Sequence, residues 1–221
     1  MLNSIKTSIL TATLVTGVIA GSAASAATIK VGYQGRTVFG APNHSQNVKI
    51  VAPPTTAIAN AGAFRLNGSN GFGAFVAFCV DLSKHIRSGK TYTTASASAY
   101  GGTVDNAIDR LFTSAYSGVN SAIKGAAFQV ALWEIITDTG AGYNLSQGQF
   151  QAQSSVAVRN QANLYLAGLS GAATGGYKMT YLNSGVSQNL VTVSAVPVPA
   201  AAGMLGLGLL GLFGLRRRKT A

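Results

Sequence analysis

Strand-like segments lie toward both ends of the central part of the chain, where apolar residues alternate with polar ones or form short continuous groups. The five predicted strands are residues 28–33, 48–51, 71–82, 177–181 and 190–193. The longest of them places Phe75, Ala77, Cys79 and Asp81 on one face. We expect residues 90–94 to be the hairpin partner of that strand.

The middle of the chain has helical periodicity instead. Apolar residues recur three or four positions apart in 104–115, and a second helix is predicted over 121–137. A third is expected to begin at Ser146, where Ser146 and Gln149 form a capping box, and to end at Gly168. The order of elements predicts an α+β domain of residues 27–194, in which a sheet or barrel carries a helical insertion.

The first 26 residues have the pattern of a cleavable signal peptide. Lys6 precedes an apolar stretch over residues 9–20, and Ala24-Ser25-Ala26 is a small-x-small cleavage site. We therefore expect the domain to be exported.

The last 27 residues, 195–221, have the pattern of a C-terminal membrane segment. A proline-containing motif is followed by an apolar helix at about 200–215 and a basic tail at 216–219. The basic tail favours a cytoplasmic end, which leaves the domain outside the inner membrane. The motif consists of Val196, Pro197, Val198, Pro199 and Ala200.

This order of motif, apolar helix and arginine-rich end resembles the VPLPA variant of the PEP-CTERM sorting signal. Val198 stands where that family usually has leucine. In the family an exosortase, a membrane-embedded cysteine transpeptidase, cuts near the motif. The resemblance implies an exosortase as a partner, transient or retained contact with the inner membrane, and a location at the cell surface or in the extracellular matrix.

The net charge of +11 has to be interpreted from the positions of the charged residues along the chain. Five of the sixteen basic residues lie in the two end segments, and all five acids lie in the exported domain, which keeps about +6. Its lysines and arginines are scattered singly, which argues against nucleic-acid binding. Two histidines and five acids without metal-ligand spacing imply no cofactor and no metal.

The chain has one cysteine, Cys79, which excludes an internal disulfide framework. A free thiol in an exported protein is exposed to oxidation and unwanted pairing. Cys79 is therefore either a buried small apolar residue or a residue kept for its reactivity.

Residues 127–134 contain one amide, Gln129, in a largely apolar part of the second helix. Gln129 and Trp133 share a face, and the small Gly125 and Ala126 on that face allow a strand to approach closely. A buried glutamine needs hydrogen-bond partners. The alternative is an ordinary satisfied amide, or one at the edge of the helix.

The segments 78–80 (Phe-Cys-Val) and 129–133 (Gln-Val-Ala-Leu-Trp) together resemble the thioester domains of bacterial surface adhesins. Their order is that of the family, although Phe128 stands where many members have threonine. The resemblance implies an internal thioester between Cys79 and Gln129 that captures an amine of a partner surface in adhesion. Each molecule would react once, so the protein is not expected to be an enzyme and has no catalytic residues in that sense.

Asp81, Trp133 and Phe78 are candidate supporting residues. Asp81 is expected to orient a group or carry a proton, or else to cap the strand end. Trp133, Phe78 and Tyr92 are expected to shield the bond from water, or else to be ordinary core residues. The alternative functions are a non-covalent structural or adhesive matrix protein and, far less favoured, a hydrolase that uses Cys79 with His85.

Overall fold

The computed structural model describes residues 26–34, 45–139 and 142–196, and within them the chain forms nine β-strands and three α-helices. The strands are β1 (Thr28–Tyr33), β2 (Ser45–Ala52), β3 (Thr55–Gly62), β4 (Phe64–Gly68), β5 (Gly73–Cys79), β6 (Lys90–Ala95), β7 (Gln151–Gln153), β8 (Tyr177–Asn183) and β9 (Leu190–Ala195). The helices are α1 (Gly102–Ala115), α2 (Ala122–Thr137) and α3 (Val156–Ala167). The predicted α+β class, with a barrel and a helical insertion, is confirmed.

Six of the strands close into an antiparallel barrel in the order β1, β4, β5, β9, β8 and β6. Alternate residues of each strand face inward, so the interior fills with apolar side chains. Ile29, Leu66, Ala77, Tyr92 and Leu190 are among those buried there. β5 lies between β4 and β9, and this position decides where its last residue, Cys79, comes to lie.

The remaining three strands form a second sheet in the order β3, β2, β7, and helix α2 packs on β2 and β3. α2 is enclosed by this sheet, by β5 and by helices α1 and α3. Every residue from Gly125 to Ile136 is buried, and a helix covered on all sides has to be apolar all round. This explains why that part of α2 contains only Gln129 and Glu134 as polar side chains.

The ends of α2 agree with the prediction from the sequence. Ser121 is the N-cap, and its side chain accepts a hydrogen bond from the Lys124 backbone N–H at 3.3 Å. The helix ends at Thr137, as expected.

The predicted pairing of residues 71–82 with 90–94 is wrong. β6 lies between β1 and β8, whereas β5 pairs with β4 and β9. A short turn after Gly68 folds β4 directly onto β5, and β9 occupies the other edge of β5, so neither edge is left for β6.

The predicted start of the third helix at Ser146 is also wrong, because α3 begins at Val156 after the N-cap Ser155. Ser146 and Gln149 belong to the connection between α2 and β7, and β7 extends the second sheet by pairing with β2. Residues 145–149 form turns and bends, and the chain then pairs with β2 at 151–153, so a capping pattern alone does not start a helix there.

Asp138, just beyond α2, ties this connection down. Its carboxylate accepts hydrogen bonds from the backbone N–H groups of Gln149 and Phe150, at 2.7 and 3.0 Å. The carboxylate lies where a side chain of Gly148 would stand, and Gly148 has a φ of 100°. Both the space and the backbone conformation therefore require glycine at this position.

The predicted signal peptide, residues 1–26, lies outside the described residues except for its last one, and so do the predicted membrane helix and the basic tail. Across 26–34, 45–139 and 142–196, no helix has the length and apolarity needed to cross a bilayer.

Candidate functional site

Cys79 is the last residue of β5, and β5 extends two residues beyond the end of its ladder with β4. That ladder stops at the pair Phe64 and Ala77, so Phe78 and Cys79 pair only with β9 among the described strands. On the β4 side, the backbone N–H and C=O of Cys79 therefore need another partner.

Gln129 supplies that partner from the middle of α2. Its Nε2 donates a hydrogen bond to the Cys79 carbonyl oxygen, and its Oε1 accepts one from the Cys79 backbone N–H, both at 2.8 Å. Each residue is only 1% exposed. The amide thus takes the place of a neighbouring strand, and the geometry brings together the two residues of the predicted cross-link.

The sulfur of Cys79 contacts the main chain of Asp81. The thiol donates to the Asp81 carbonyl oxygen at 3.0 Å, and the Asp81 backbone N–H donates to the sulfur at 3.2 Å. Burial raises the pKa of the Cys79 thiol to about 12, and the hydrogen bonds offset this only in part. At neutral pH the sulfur is therefore a thiol rather than a thiolate.

Trp133 lies one turn after Gln129 on the same face of α2 and is 2% exposed. Its indole Nε1 is buried and makes no hydrogen bond of normal geometry to any described residue. It nevertheless lies near enough to the Cys79 thiol to lower the pKa of that thiol. An unpaired buried N–H costs about 1–3 kcal/mol, so this arrangement calls for an explanation.

The Asp81 carboxylate points to its own loop. It accepts hydrogen bonds from the backbone N–H and the hydroxyl of Ser83, at 2.9 and 2.6 Å, and pairs with the Lys84 ammonium at 3.1 Å. Burial alone would raise the pKa of Asp81, but these contacts outweigh it and lower the pKa. The side chain thus has the position of a loop cap, while the main chain of Asp81 holds the sulfur.

Phe78 faces the helices. Its ring lies 4.6 Å from that of Phe128 and 6.0 Å from that of Phe112, measured between centroids. This packing fixes the end of β5 against α1 and α2. Tyr92 donates from its hydroxyl to Ser187 at 2.8 Å and belongs to the barrel interior.

Two residues that hold this strand end had no signal in the sequence. The Tyr100 hydroxyl donates to the Val80 carbonyl oxygen. The Gln188 side-chain amide donates to the Asp81 carbonyl oxygen at 3.0 Å, across 107 residues of sequence. Both are single polar residues in loops, and only the three-dimensional fold brings them to the site.

A cleft of about 620 Å³ reaches the site, and Cys79, Gln129 and Trp133 are among the residues that line it. The β2–β3 hairpin contributes further lining, including the exposed Ile58, and the loop after β5 contributes Lys84 and His85. No carboxylate is found among the described residues that line the cleft.

His85 therefore lies in the same cleft as Cys79. A hydrolase that uses both residues is the function that the sequence favours least. A cysteine nucleophile paired with histidine needs a lowered thiol pKa. Burial moves the pKa of Cys79 in the opposite direction. Burial of Cys79 therefore does not provide the lowered thiol pKa that such a pair needs.

No metal-binding group emerges from the described part of the chain, in which no three His, Cys, Asp or Glu side chains are placed to hold an ion. Of the predicted sorting motif, Val196 is the last described residue, and its backbone N–H donates to the Gly176 carbonyl oxygen at 3.4 Å. Pro197, Val198, Pro199 and Ala200 lie outside the described residues.

No protein-family model and no curated protein match the sequence. Solved structures similar to the chain include the N-terminal domain of the Streptococcus pyogenes pilus tip adhesin Cpa, 14% identical, with a TM-score of 0.41, over 69% of this chain and 95% of that domain. They also include the N-terminal thioester domain of a surface protein from Clostridium perfringens, 15% identical, with a TM-score of 0.43, over 69% of this chain and 99% of that domain. A cysteine-to-alanine variant of the latter domain is 14% identical, with a TM-score of 0.43, over 67% of this chain and 99% of that domain.

Proposed function

We propose that the protein is an exported surface or matrix protein in which Cys79 and Gln129 form an internal thioester that captures an amine of a partner surface. The observation that carries the proposal is the paired hydrogen bond between the Gln129 side-chain amide and the Cys79 main chain. It holds the amide against the residue that bears the thiol, and both are shielded from water.

In the forming step, the Cys79 sulfur attacks the side-chain carbonyl carbon of Gln129. A C–S bond forms, the C–N bond breaks, and the thiol proton leaves with the nitrogen as ammonia. The Cys79 N–H already donates to Oε1 and stabilises the negative charge that develops there. Because the pKa of the thiol is raised, the proton leaves the sulfur during the attack, which the proximity of thiol and amide assists.

In the capture step, a neutral amine attacks the thioester carbonyl carbon. A C–N bond forms, the C–S bond breaks, and a proton passes from the amine nitrogen to the sulfur. The Cys79 carbonyl oxygen, which accepts a hydrogen bond from the departing nitrogen in the first step, accepts one from the arriving nitrogen in the second. The product is an amide at Gln129 and a free thiol at Cys79, so each molecule reacts once.

Intact mass of the full-length chain, with its termini fixed by peptide mapping, tests the cross-link. The proposal predicts a protein lighter than its sequence by one ammonia, and a methylamine adduct after treatment with that amine. Cys79→Ala and Gln129→Ala should each abolish both signals. A chain of full mass, with an unmodified Gln129 and a Cys79 thiol that becomes alkylated once the protein is unfolded, would overturn the proposal.

A non-covalent structural or adhesive matrix protein is the second candidate, favoured by one observation. The unreacted amide of Gln129 satisfies both backbone groups of Cys79 without any reaction. In that case Cys79→Ser would leave surface retention nearly normal, whereas the covalent proposal predicts its loss.

Surface delivery is proposed to use an exosortase that recognises the motif 196–200. It is supported by the order of motif, apolar segment and basic tail in the sequence. Pro197→Ala combined with Pro199→Ala should block processing of the tail, as followed by its mass. Unchanged processing would overturn this part of the proposal.

A further inference from the structure

Trp133 contributes a polar group to the site that the reaction described above does not use. The indole Nε1 is buried, has no hydrogen-bond partner of normal geometry among the described residues, and belongs to a side chain that lines the cleft together with Cys79 and Gln129. Buried donors without acceptors are rare in folded proteins. An acceptor that appears only during a reaction would account for this one.

The capture step generates such an acceptor at the sulfur. When the C–S bond breaks, negative charge develops on the Cys79 sulfur in a place where burial strongly disfavours it. The Asp81 backbone N–H, 3.2 Å from the sulfur, is one donor to that charge. The Trp133 side chain lies near enough to the sulfur to lower the pKa of the thiol.

We propose that the indole N–H of Trp133 donates a hydrogen bond to the Cys79 sulfur as it leaves the thioester, and so speeds amine capture. This inference rests on the proposed thioester. Charge-assisted hydrogen bonds are the stronger ones, so the contact contributes more when the sulfur is anionic than in the thiol form. Trp133 thereby favours the transition state over the resting state.

The competing explanation is that Trp133 only packs. Its ring lies 6.3 Å from the ring of Phe150, at an angle of 54°. A packing role would depend on the shape of the aromatic ring and not on its N–H. The two explanations therefore differ in what the removal of a single hydrogen-bond donor does.

Trp133 is the only tryptophan of the chain, which permits a change at the level of one atom. When the producing cells are supplied with a benzothienyl analogue of tryptophan, sulfur replaces the indole N–H. Because the chain has a single tryptophan, only position 133 changes. Trp133→Phe removes the same donor genetically. Phe150→Leu is the matched control, because it disturbs the packing around the indole and keeps the N–H.

The measurement is the rate at which methylamine opens the thioester of the full-length chain, followed by intact mass. The analogue and Trp133→Phe should still form the thioester but open it about tenfold to a hundredfold more slowly, as for the loss of one hydrogen bond to a charged group. Phe150→Leu should open at nearly the wild-type rate. In the opened proteins, the thiol pKa of Cys79 should be higher without the N–H than with it.

The outcomes separate the two proposals. A wild-type chain that shows no loss of ammonia overturns the thioester and this inference together. A wild-type chain that has lost ammonia, combined with an unchanged opening rate and thiol pKa in the analogue-labelled protein, overturns the role of Trp133 alone.

Discussion

Replacing Gln129 by glutamate tests the contact on which the site is built. In the native structure, Nε2 of Gln129 donates to the Cys79 carbonyl oxygen at 2.8 Å. After Gln129→Glu, an oxygen stands in its place. A protonated carboxyl group can still donate to the carbonyl, whereas an ionised one sets two acceptors against each other in a buried position.

The size of the effect follows from the burial of this position, where Gln129 is 1% exposed. A buried carboxyl group facing an acceptor has its pKa raised by about 3 units over the ordinary value of about 4.3, at about 1.4 kcal/mol per unit. The folded state then binds a proton that the unfolded state has released. Stability is intact below about pH 4 and falls by about 4 kcal/mol as the pH rises through the folded-state pKa.

The assay is denaturant unfolding at about pH 4 and about pH 8, carried out in a Cys79→Ala background. That background removes the thiol, and hence any cross-link, but keeps the backbone N–H and C=O groups of residue 79. Cys79→Ala alone is the parent, and its own pH dependence is subtracted. If Gln129→Glu lowers the free energy of unfolding by the same amount at both pH values, the paired hydrogen bond does not stabilise the fold as proposed.

Three further predictions follow from other parts of the structure. Burial raises the pKa of Glu134 to about 7, so the chain should lose stability as the pH rises from about 4.5 to about 7. Glu134→Gln should remove about 2 kcal/mol of that loss, measured by denaturant unfolding at about pH 5 and about pH 8. An unchanged difference in unfolding free energy between the two pH values would contradict this prediction. Gly148→Ala should lower the free energy of unfolding by about 1–3 kcal/mol in the same assay, because φ is positive there and the new methyl group would overlap the Asp138 carboxylate. Gly118→Ala, with open space around it, should change the free energy of unfolding little. Equal losses in the two variants would argue against strain at residue 148. The rate of methylamine capture should rise with pH in proportion to the fraction of the amine that is neutral. The reason is that the described lining of the cleft includes Lys84 and His85 but no carboxylate that would bind an ammonium ion. A rate independent of pH would show that the charged form binds.

The elements with strong periodicity could be predicted from the sequence. Helix α2 lies within one residue of the predicted range 121–137 because its apolar residues are nearly continuous, and the apolar alternation of 28–33 is β1 itself. β3 and β4 were missed because alanine, asparagine and glycine, which are frequent in them, are depleted in strands. Pairing with β2 along its whole length overrides that preference in β3.

Some of the residues that meet at Cys79 could be predicted from the sequence, whereas their geometry could not. Cys79, Gln129 and Trp133 stand out as the single cysteine, an amide in an apolar helix, and its neighbour one turn on. That Gln129 replaces a missing strand beside Cys79 follows from where the β4 ladder ends, and this depends on the closure of the barrel. The turn of the Asp81 carboxylate toward Ser83 and Lys84 likewise depends on the loop conformation.

Peptide mapping of the native full-length chain is the most direct test of the central claim. Digestion at low pH, which preserves thioesters, should yield one linked species that contains residues 79 and 129, with a mass equal to the sum of its two peptides less one ammonia. Two separate peptides of full mass, with Cys79 alkylated only after the protein has been unfolded, would show that the thiol and the amide lie side by side without reacting.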